Sequence, residues 1–471
     1  MGNRNPEKRN KQLGGKMKRW EHQERAFQFL KERQCGALFM DMGTGKTKVM
    51  IDIISQLPCQ EVLIVCPKSV CEVWIKQLEI HMELPYFALD LSKIPGNRKR
   101  EALNLFYKPE TGIRVAIINY DSIWREPLKG YLLKSPPEVV ICDESHRIKS
   151  SSSAVSRFMT NLGKRVKYKY CLTGTPLPQS PLDVYGQYRF MAPEIFGTNF
   201  GKFSHRYAII TNTWGYDEIK GYQNLDELTT KMYSIAFRVK LSDVMELPET
   251  QDIQLDYELS YKAQRCYSEL RREGCLEFSE GVLTTGTAIA LIGRLQQICS
   301  GYAPVYDDNG VETIVEIDDG RIKVLEDWLD GIDILEPVVV FCKYRKDIRN
   351  VLELGKKLGR TVYELSGRIN QYREFKEHPD GIIVVQIQAG SSGIDLTEAR
   401  YCVYYSHSYS LSDYEQSRAR VHRPGQKRPV IYYSIVAKHK RCVTIDEQII
   451  KALQTKQDLV DVVMKDLSHL P

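Results

Sequence analysis

Short apolar runs of four to six residues recur along this chain, each bounded by turn residues and followed by helical spacing. Ala37–Met40, Val62–Cys66, Val115–Ile118, Val139–Cys142 and Tyr168–Leu172 form a first set, and Val338–Cys342, Ile382–Val385, Cys402–Tyr405 and Val430–Ile435 a second. Runs that are apolar throughout mark strands covered on both faces, the condition of a parallel sheet layered between helices. Two sets therefore imply two α/β lobes. Between them, over roughly residues 180–325, helical spacing dominates, as at Leu291, Leu295 and Ile298. Within that stretch Asp307–Asp319 carries six acids around Asp308-Asn309-Gly310, which reads as an exposed hairpin. The lobe boundary is expected near residue 250, after Leu247-Pro248.

The 471 residues allow two to four globular units at roughly 100–200 residues each. No run approaches the ~18 apolar residues of a membrane span, and the polar, basic N-terminus lacks the apolar core of a secretory signal. The twelve cysteines form no C-x-x-C pair and no cluster with histidine, so a reducing compartment is expected, cytoplasmic or, in a eukaryote, nuclear. Cys66, Cys142, Cys171, Cys342 and Cys402 fall in apolar runs as small buried hydrophobes.

The net charge of +6 resides in residues 1–19, which hold seven basic side chains and one acid; the other 452 residues balance. That basic tail reads either as a nucleic-acid contact or nuclear signal, or as a solvated terminus.

Asp41-Met42-Gly43-Thr44-Gly45-Lys46-Thr47 follows an apolar run and precedes an amphipathic stretch with Val49, Ile53 and Leu57. This is the strand–loop–helix setting of a phosphate loop, with Met40 where the general pattern has its first glycine. The residues from Met42 through Thr47 would cradle phosphate by backbone N–H groups at a helix N-terminus. Lys46 would reach the β- and γ-phosphates, and the Thr47 hydroxyl would coordinate Mg²⁺. A second block, Val139 to His146, ends a strand in Asp143-Glu144. Alone, two acids there serve as a cap; about a hundred residues after a phosphate loop, Asp143 is expected to hold Mg²⁺ and Glu144 to polarise the attacking water. A third block runs from Gln416 to Gln426, where Arg420 and Arg423 would share a face if the segment is helical and could meet a triphosphate. Arg418 to Arg441 holds eight Lys/Arg and no acid, reading either as a solvated basic face or as a phosphate-backbone contact.

In this order the three blocks resemble superfamily 2 nucleic-acid translocases, specifically the Swi/Snf-type double-stranded DNA translocase family. Other segments carry the resemblance from about residue 20 to 450. Trp20-Glu21-His22-Gln23 is similar to the adenine-reading segment, which implies that Gln23 contacts the base. Val65-Cys66-Pro67-Lys68-Ser69-Val70, with Trp74 after it, resembles the motif that lies along DNA. Asn119-Tyr120-Asp121-Ser122, Leu172-Thr173-Gly174-Thr175-Pro176 and Pro193-Glu194-Ile195-Phe196-Gly197 follow, the second similar to the element that couples hydrolysis to lobe movement. Val340 to Tyr344, Leu365-Ser366-Gly367 and Ala389 to Thr397 match the later motifs. The Asp-Glu-Ser-His and Arg-Val-His-Arg-x-Gly-Gln forms look most like the fork-remodelling, strand-annealing branch. Departures are Thr-Pro-Leu-Pro-Gln-Ser, where the family has Thr-Pro-Leu-Gln-Asn, and Asp395, where it often has Asn.

The resemblance implies two RecA-like lobes with parallel sheets and helical insertions between them. The expected division is a basic tail (1–19), an ATP-binding lobe (20–250) with a helical insertion after about 180, an insertion and linker (251–325), and a C-terminal lobe (326–471). It further implies a DNA-dependent ATPase using ATP and Mg²⁺ to move along double-stranded or forked DNA without reading bases. Lys68, Ser69, Ser122, Ser366 and Ser391 are expected at the DNA backbone, although each serine could instead cap a helix. The chain is short for the family, so targeting would fall to the tail or a protein partner; a monomer without membrane attachment is expected. Rival readings are a strand-separating DNA or RNA helicase, a nucleotide-dependent scaffold that has lost hydrolysis, and the motor subunit of a nuclease complex.

Overall fold

A computed structural model describes residues 18–463 apart from 109–110, 214–215, 280, 286, 308 and 389–393. The chain divides into two units. The first runs to Gly174 and takes back Gly186–Thr198 and Tyr233–Val244; the second holds Thr175–Tyr185, Asn199–Met232 and the chain from Met245 onward.

In the first unit six apolar segments form β1 (Cys35–Met40), β2 (Glu61–Cys66), β3 (Tyr86–Asp90), β4 (Ile113–Asn119), β5 (Val139–Asp143) and β6 (Tyr168–Thr173). After them come a two-stranded hairpin, β7 (Ala208–Thr213) with β8 (Tyr216–Tyr222), in the second unit, and then β9 (Ala236–Val239), which returns to the first sheet. The seven strands run in the order β3-β4-β2-β5-β6-β1-β9, every pair parallel. The central strands are buried on both faces, as their unbroken apolar runs require. Parallel pairing puts the carboxyl ends of β1, β2, β4, β5 and β6 on one edge, where such sheets bind ligands. Strands β3 and β9 are absent from the sequence-derived set. Both lie at sheet edges and are only partly buried, so neither carries a continuous apolar signal.

The second unit's parallel sheet has the order β10-β19-β18-β15-β17-β16. Its members are β10 (Thr250–Glu258), β15 (Val338–Cys342), β16 (Val362–Leu365), β17 (Ile382–Gln386), β18 (Tyr401–Tyr404) and β19 (Val430–Lys438). Beside it stands a four-stranded antiparallel sheet of β11 (Cys275–Phe278), β12 (Gly281–Thr284), β13 (Tyr302–Tyr306) and β14 (Glu312–Glu316). The stretch read as helical thus holds helices, including Ala288–Cys299, and also the strands β7 to β14, of which β9 and β11 to β14 have only four or five residues, too few to show a period. The acidic hairpin forms as expected. Asp307 Oδ1 accepts the Asn309 and Val311 N–H groups at 2.9 and 2.8 Å, and Gly310 takes φ +76°.

Arg321 is buried in this unit. Its guanidinium pairs with Asp446, donates to the Tyr405 carbonyl and reaches the Cys299 carbonyl at 3.1 Å, tying the helices Gly320–Asp330 and Ile445–Val463 to the end of β18. The five cysteines assigned to apolar runs are fully buried. Among the described residues no helix is long and apolar enough to cross a membrane.

Candidate nucleotide site and nucleic-acid face

Strand β1 delivers the chain to the glycine loop, and α2 (Lys46–Gln56) leaves it. Gly43 and Gly45 adopt φ of +83° and +86°, a region that disfavours any side chain. Thr44 is buried; its hydroxyl donates to Asp41 O at 2.7 Å and closes the turn. Asp41 is anchored in turn, accepting the Leu241 N–H at 2.8 Å, and burial raises its pKa. The Lys46 ammonium donates to Met40 O at 2.6 Å and Asp41 O at 3.2 Å, which holds its charge within the loop. From α1 (Glu21–Leu30), His22 Nε2 and Gln23 Nε2 donate to the Thr44 carbonyl at 2.9 and 3.1 Å, while Gln23 Oε1 accepts the Trp20 N–H. A Cβ at residue 45 would stand 2.2 Å from Gln23 Nε2, so the glycine also makes room for that amide. Gln23 therefore lies against the loop, with both ends of its amide engaged within the protein.

Two strands away in the same sheet, β5 ends at Asp143. Its carboxylate accepts the Trp74 indole N–H at Oδ2 (2.8 Å) and the Glu144 N–H at Oδ1 (3.0 Å), and its carbonyl accepts the Tyr120 hydroxyl at 2.8 Å. Burial and the adjacent Glu144 charge raise its pKa to about 6, while Lys46 opposes the shift. The two residues, 97 positions apart, are thus within electrostatic reach. Glu144 sits in left-handed backbone, φ +52° and ψ +53°, an uncommon and costly conformation outside glycine. Thr173 donates to Glu144 Oε2 at 3.4 Å, and His146 Nδ1 lies 3.2 Å from Thr173 Oγ1.

The candidate donors on this edge are hard oxygens: the Asp143 carboxylate held by N–H groups, the Glu144 carboxylate, and the Thr47 hydroxyl in the first turn of α2. That set suits Mg²⁺ better than a soft metal.

The expected nucleic-acid contacts follow neighbouring strands on the same edge. Lys68 and Ser69 are exposed in the Lys68–Val70 turn after β2, and Ser122 is half-buried in the short helix after β4, with Cys66 in register with Asn119. In the second unit the Ser366 hydroxyl donates to Glu364 at 2.6 Å and accepts the Arg368 N–H, which makes it a turn former. Ser391 lies outside the described residues, as does the basic tail through residue 17. Arg19, counted with that tail, is bound to Asp52 at 2.7 Å and Glu24 at 2.8 Å and packs 3.6 Å over the Phe27 ring.

Arg420 and Arg423 do not share a helix face. The helix Leu411–Val421 stops before Arg423, because Pro424 disfavours helical geometry at the residue it follows. Arg420 is buried, whereas Arg423 is half-buried and donates to Ile394 O at 3.1 Å. Nor is the acid-free stretch a uniform basic face. Parallel pairing of β19 with β10 brings in acids from far upstream: Asp252 binds Arg418, Asp256 binds Lys438 and Glu258 binds Lys440, while Glu447, from the helix that follows, also binds Lys438. Glu336 holds Arg428, leaving Lys427 and Arg441 exposed.

The sequence assigned no site role to Trp74, His22, Tyr120 or Thr173. All four stand in motifs quoted for the resemblance, yet their partners are 22 to 69 positions away or main-chain atoms, which local spacing does not reveal.

A parallel sheet with a glycine loop, a following helix and an acid pair on its carboxyl edge defines the phosphate-loop class of nucleotide-binding proteins. Residues 22–302 match the SNF2-related domain and residues 321–425 the helicase conserved C-terminal domain. The chain belongs to the SNF2-related family, in keeping with its resemblance to the Swi/Snf-type branch of superfamily 2. It is similar to the DNA repair and recombination protein RDH54 of Saccharomyces cerevisiae, 25% identical over 89% of this chain and 48% of the relative. It is also similar to a protein of Mycoplasma genitalium named as an ATP-dependent helicase, 27% identical over 93% of this chain and 42% of that one. The chain spans about half the length of these curated relatives. The solved Sulfolobus solfataricus SWI2/SNF2 ATPase core in complex with dsDNA aligns with 95% of this chain and 93% of that one, at 20% identity and a TM-score of 0.42.

Proposed function

We propose that this protein is a DNA-dependent ATPase that uses ATP hydrolysis to move along double-stranded DNA without reading its bases. The observation that carries the reading is the gathering of Lys46, Asp143 and Glu144 on the carboxyl edge of one sheet, beside the exposed Lys68–Ser69 turn. Met42, Gly43, Thr44, Gly45, Lys46 and Thr47 hold the nucleotide's phosphates, and Gln23 meets the base. Thr47 and Asp143 hold Mg²⁺, which when bound neutralises charge on the phosphates. Glu144 orients the attacking water. Arg420 and Arg423 supply positive charge to the γ-phosphate during turnover. Lys68, Ser69 and Ser122 bind phosphate oxygens of DNA, contacts that position without specifying sequence and that weaken steeply with salt.

The test is displacement of a third strand from a triplex on linear duplex DNA. ATP-driven displacement by the wild-type chain, lost in Lys46→Ala, is expected; displacement that persists in that variant contradicts the reading. The name of the Mycoplasma relative favours a second reading, strand separation. Release of a labelled strand from a plain duplex would support it.

A further inference from the structure

Both segments assigned to DNA in the first unit send a buried side chain to the same residue. From the segment after β2, Trp74 reaches the Asp143 carboxylate; from the segment after β4, Tyr120 reaches the Asp143 carbonyl. We propose that Trp74 is a positioning residue through which the Lys68–Val70 turn sets the orientation of the Asp143 carboxylate, so that DNA held at that turn is felt at the nucleotide site. The inference rests on the function proposed above.

The geometry leaves Trp74 little else to do with its polar atom. The indole N–H can only donate, the ring is 1% exposed, and the single bond it makes spans 69 residues to Asp143 Oδ2. With Glu144 N–H on Oδ1, both oxygens are held and the carboxylate cannot rotate without losing a buried bond. At the other end, α3 (Cys71–His81) starts directly after the Lys68–Val70 turn, and Trp74 lies in its first turn. Turn and helix start are packed as one piece. Val70 N–H donates to Pro67 O at 2.9 Å, Cys71 Sγ lies 3.7 Å from the same carbonyl, and the Cys66 and Cys71 sulfurs are 3.6 Å apart. Lys68 and Ser69 face solvent on one side of this piece while Cys71 and Trp74 are buried on the other. A displacement of the exposed turn on binding polyanion therefore moves the indole, and with it the carboxylate. Tyr120 provides the parallel connection from the segment bearing Ser122.

Trp74→Phe keeps the ring and deletes the N–H. Two quantities are read: the Mg²⁺ concentration that half-saturates the tightening of a fluorescent ADP analogue, and the factor by which duplex DNA accelerates ATP hydrolysis. Partners behind a metal ligand are typically worth ~10–100-fold in metal affinity. The Mg²⁺ midpoint is expected to rise on the order of tenfold, with nucleotide affinity in EDTA unchanged, duplex-DNA affinity unchanged and stimulation by DNA diminished. Tyr120→Phe, which removes one hydroxyl and keeps the ring, is expected to diminish stimulation as well, and it serves as the test should Trp74→Phe fold poorly. A wild-type Mg²⁺ midpoint and wild-type stimulation in both variants would overturn the inference. Failure of the functional reading is distinguishable, because then the wild-type chain itself shows no stimulation by any DNA.

Discussion

The Thr173 hydroxyl donates to Glu144 Oε2, joining the end of β6 to the acid that follows β5. Glu144 holds left-handed backbone at that point, and His146 Nδ1 lies 3.2 Å from the same hydroxyl. Strain of this kind persists where surrounding contacts over-determine it. Thr173→Val, close in shape but lacking the hydroxyl, is expected to lower kcat about five- to tenfold with nucleotide affinity retained, as measured by steady-state hydrolysis and nucleotide titration.

Arg420 and Arg423 are expected to separate in mutation. Arg423→Ala, at a half-buried position past the helix end, keeps ATP binding and stability but loses turnover by roughly 10³-fold if it acts as an arginine finger. Arg420→Ala empties a buried position and lowers the melting temperature as well. Thermal unfolding of the two variants beside single-turnover hydrolysis makes the comparison.

Asp347 is fully buried in the second unit, where Ser406 donates to its Oδ2 at 2.6 Å, and burial lifts its pKa to about 6. A raised carboxyl pKa means that the folded state holds the proton more tightly than the unfolded chain does. Stability is therefore favoured at low pH and falls as pH rises from about 4 through 6, by up to ~3 kcal/mol for a shift of this size. Asp347→Asn is expected to remove that dependence. Its melting temperature should gain on the wild type between pH 4 and 6 and hold the difference above; a difference independent of pH would contradict the assignment.

The buried pair Arg321–Asp446 is expected to be costly to break and only partly replaceable by apolar side chains. Arg321→Ala leaves a buried carboxylate unpaired, at about 3–5 kcal/mol. Arg321→Met with Asp446→Leu should recover only part of that loss, because the Cys299 and Tyr405 carbonyls still lose the donor that Arg321 supplies, and denaturant unfolding of the three proteins decides it.

How far the sequence reached depended on whether a feature is local. The phosphate loop, its flanking strand and helix, and the Asp143-Glu144 strand end are contiguous, so β1, α2 and β5 stand where the runs predicted them. The hairpin at Asp307 was equally readable, since its turn chemistry is carried by adjacent residues. What escaped was set by distant partners. Strands β3 and β9 are edge strands whose patterns are diluted by exposure. The basic stretch from Arg418 to Arg441 looked unneutralised because its acids, Asp252, Asp256 and Glu258, come from a strand that pairs with it only in the folded state. Arg420 and Arg423 parted because Pro424 ends the helix, a local signal outweighed in reading by the attraction of their spacing. Trp74 was visible as part of a motif, but its bond to Asp143 crosses the sheet.

Nucleotide hydrolysis at the Lys46 loop is expected to answer to DNA. This is tested most directly by measuring ATP hydrolysis by the wild-type chain with no nucleic acid, with single-stranded, double-stranded and forked DNA, and with RNA, each beside Lys46→Ala. Strong stimulation by double-stranded or forked DNA, loss of that stimulation as salt rises, and no hydrolysis by Lys46→Ala are expected. Stimulation by RNA alone, or wild-type hydrolysis by Lys46→Ala, would contradict this expectation.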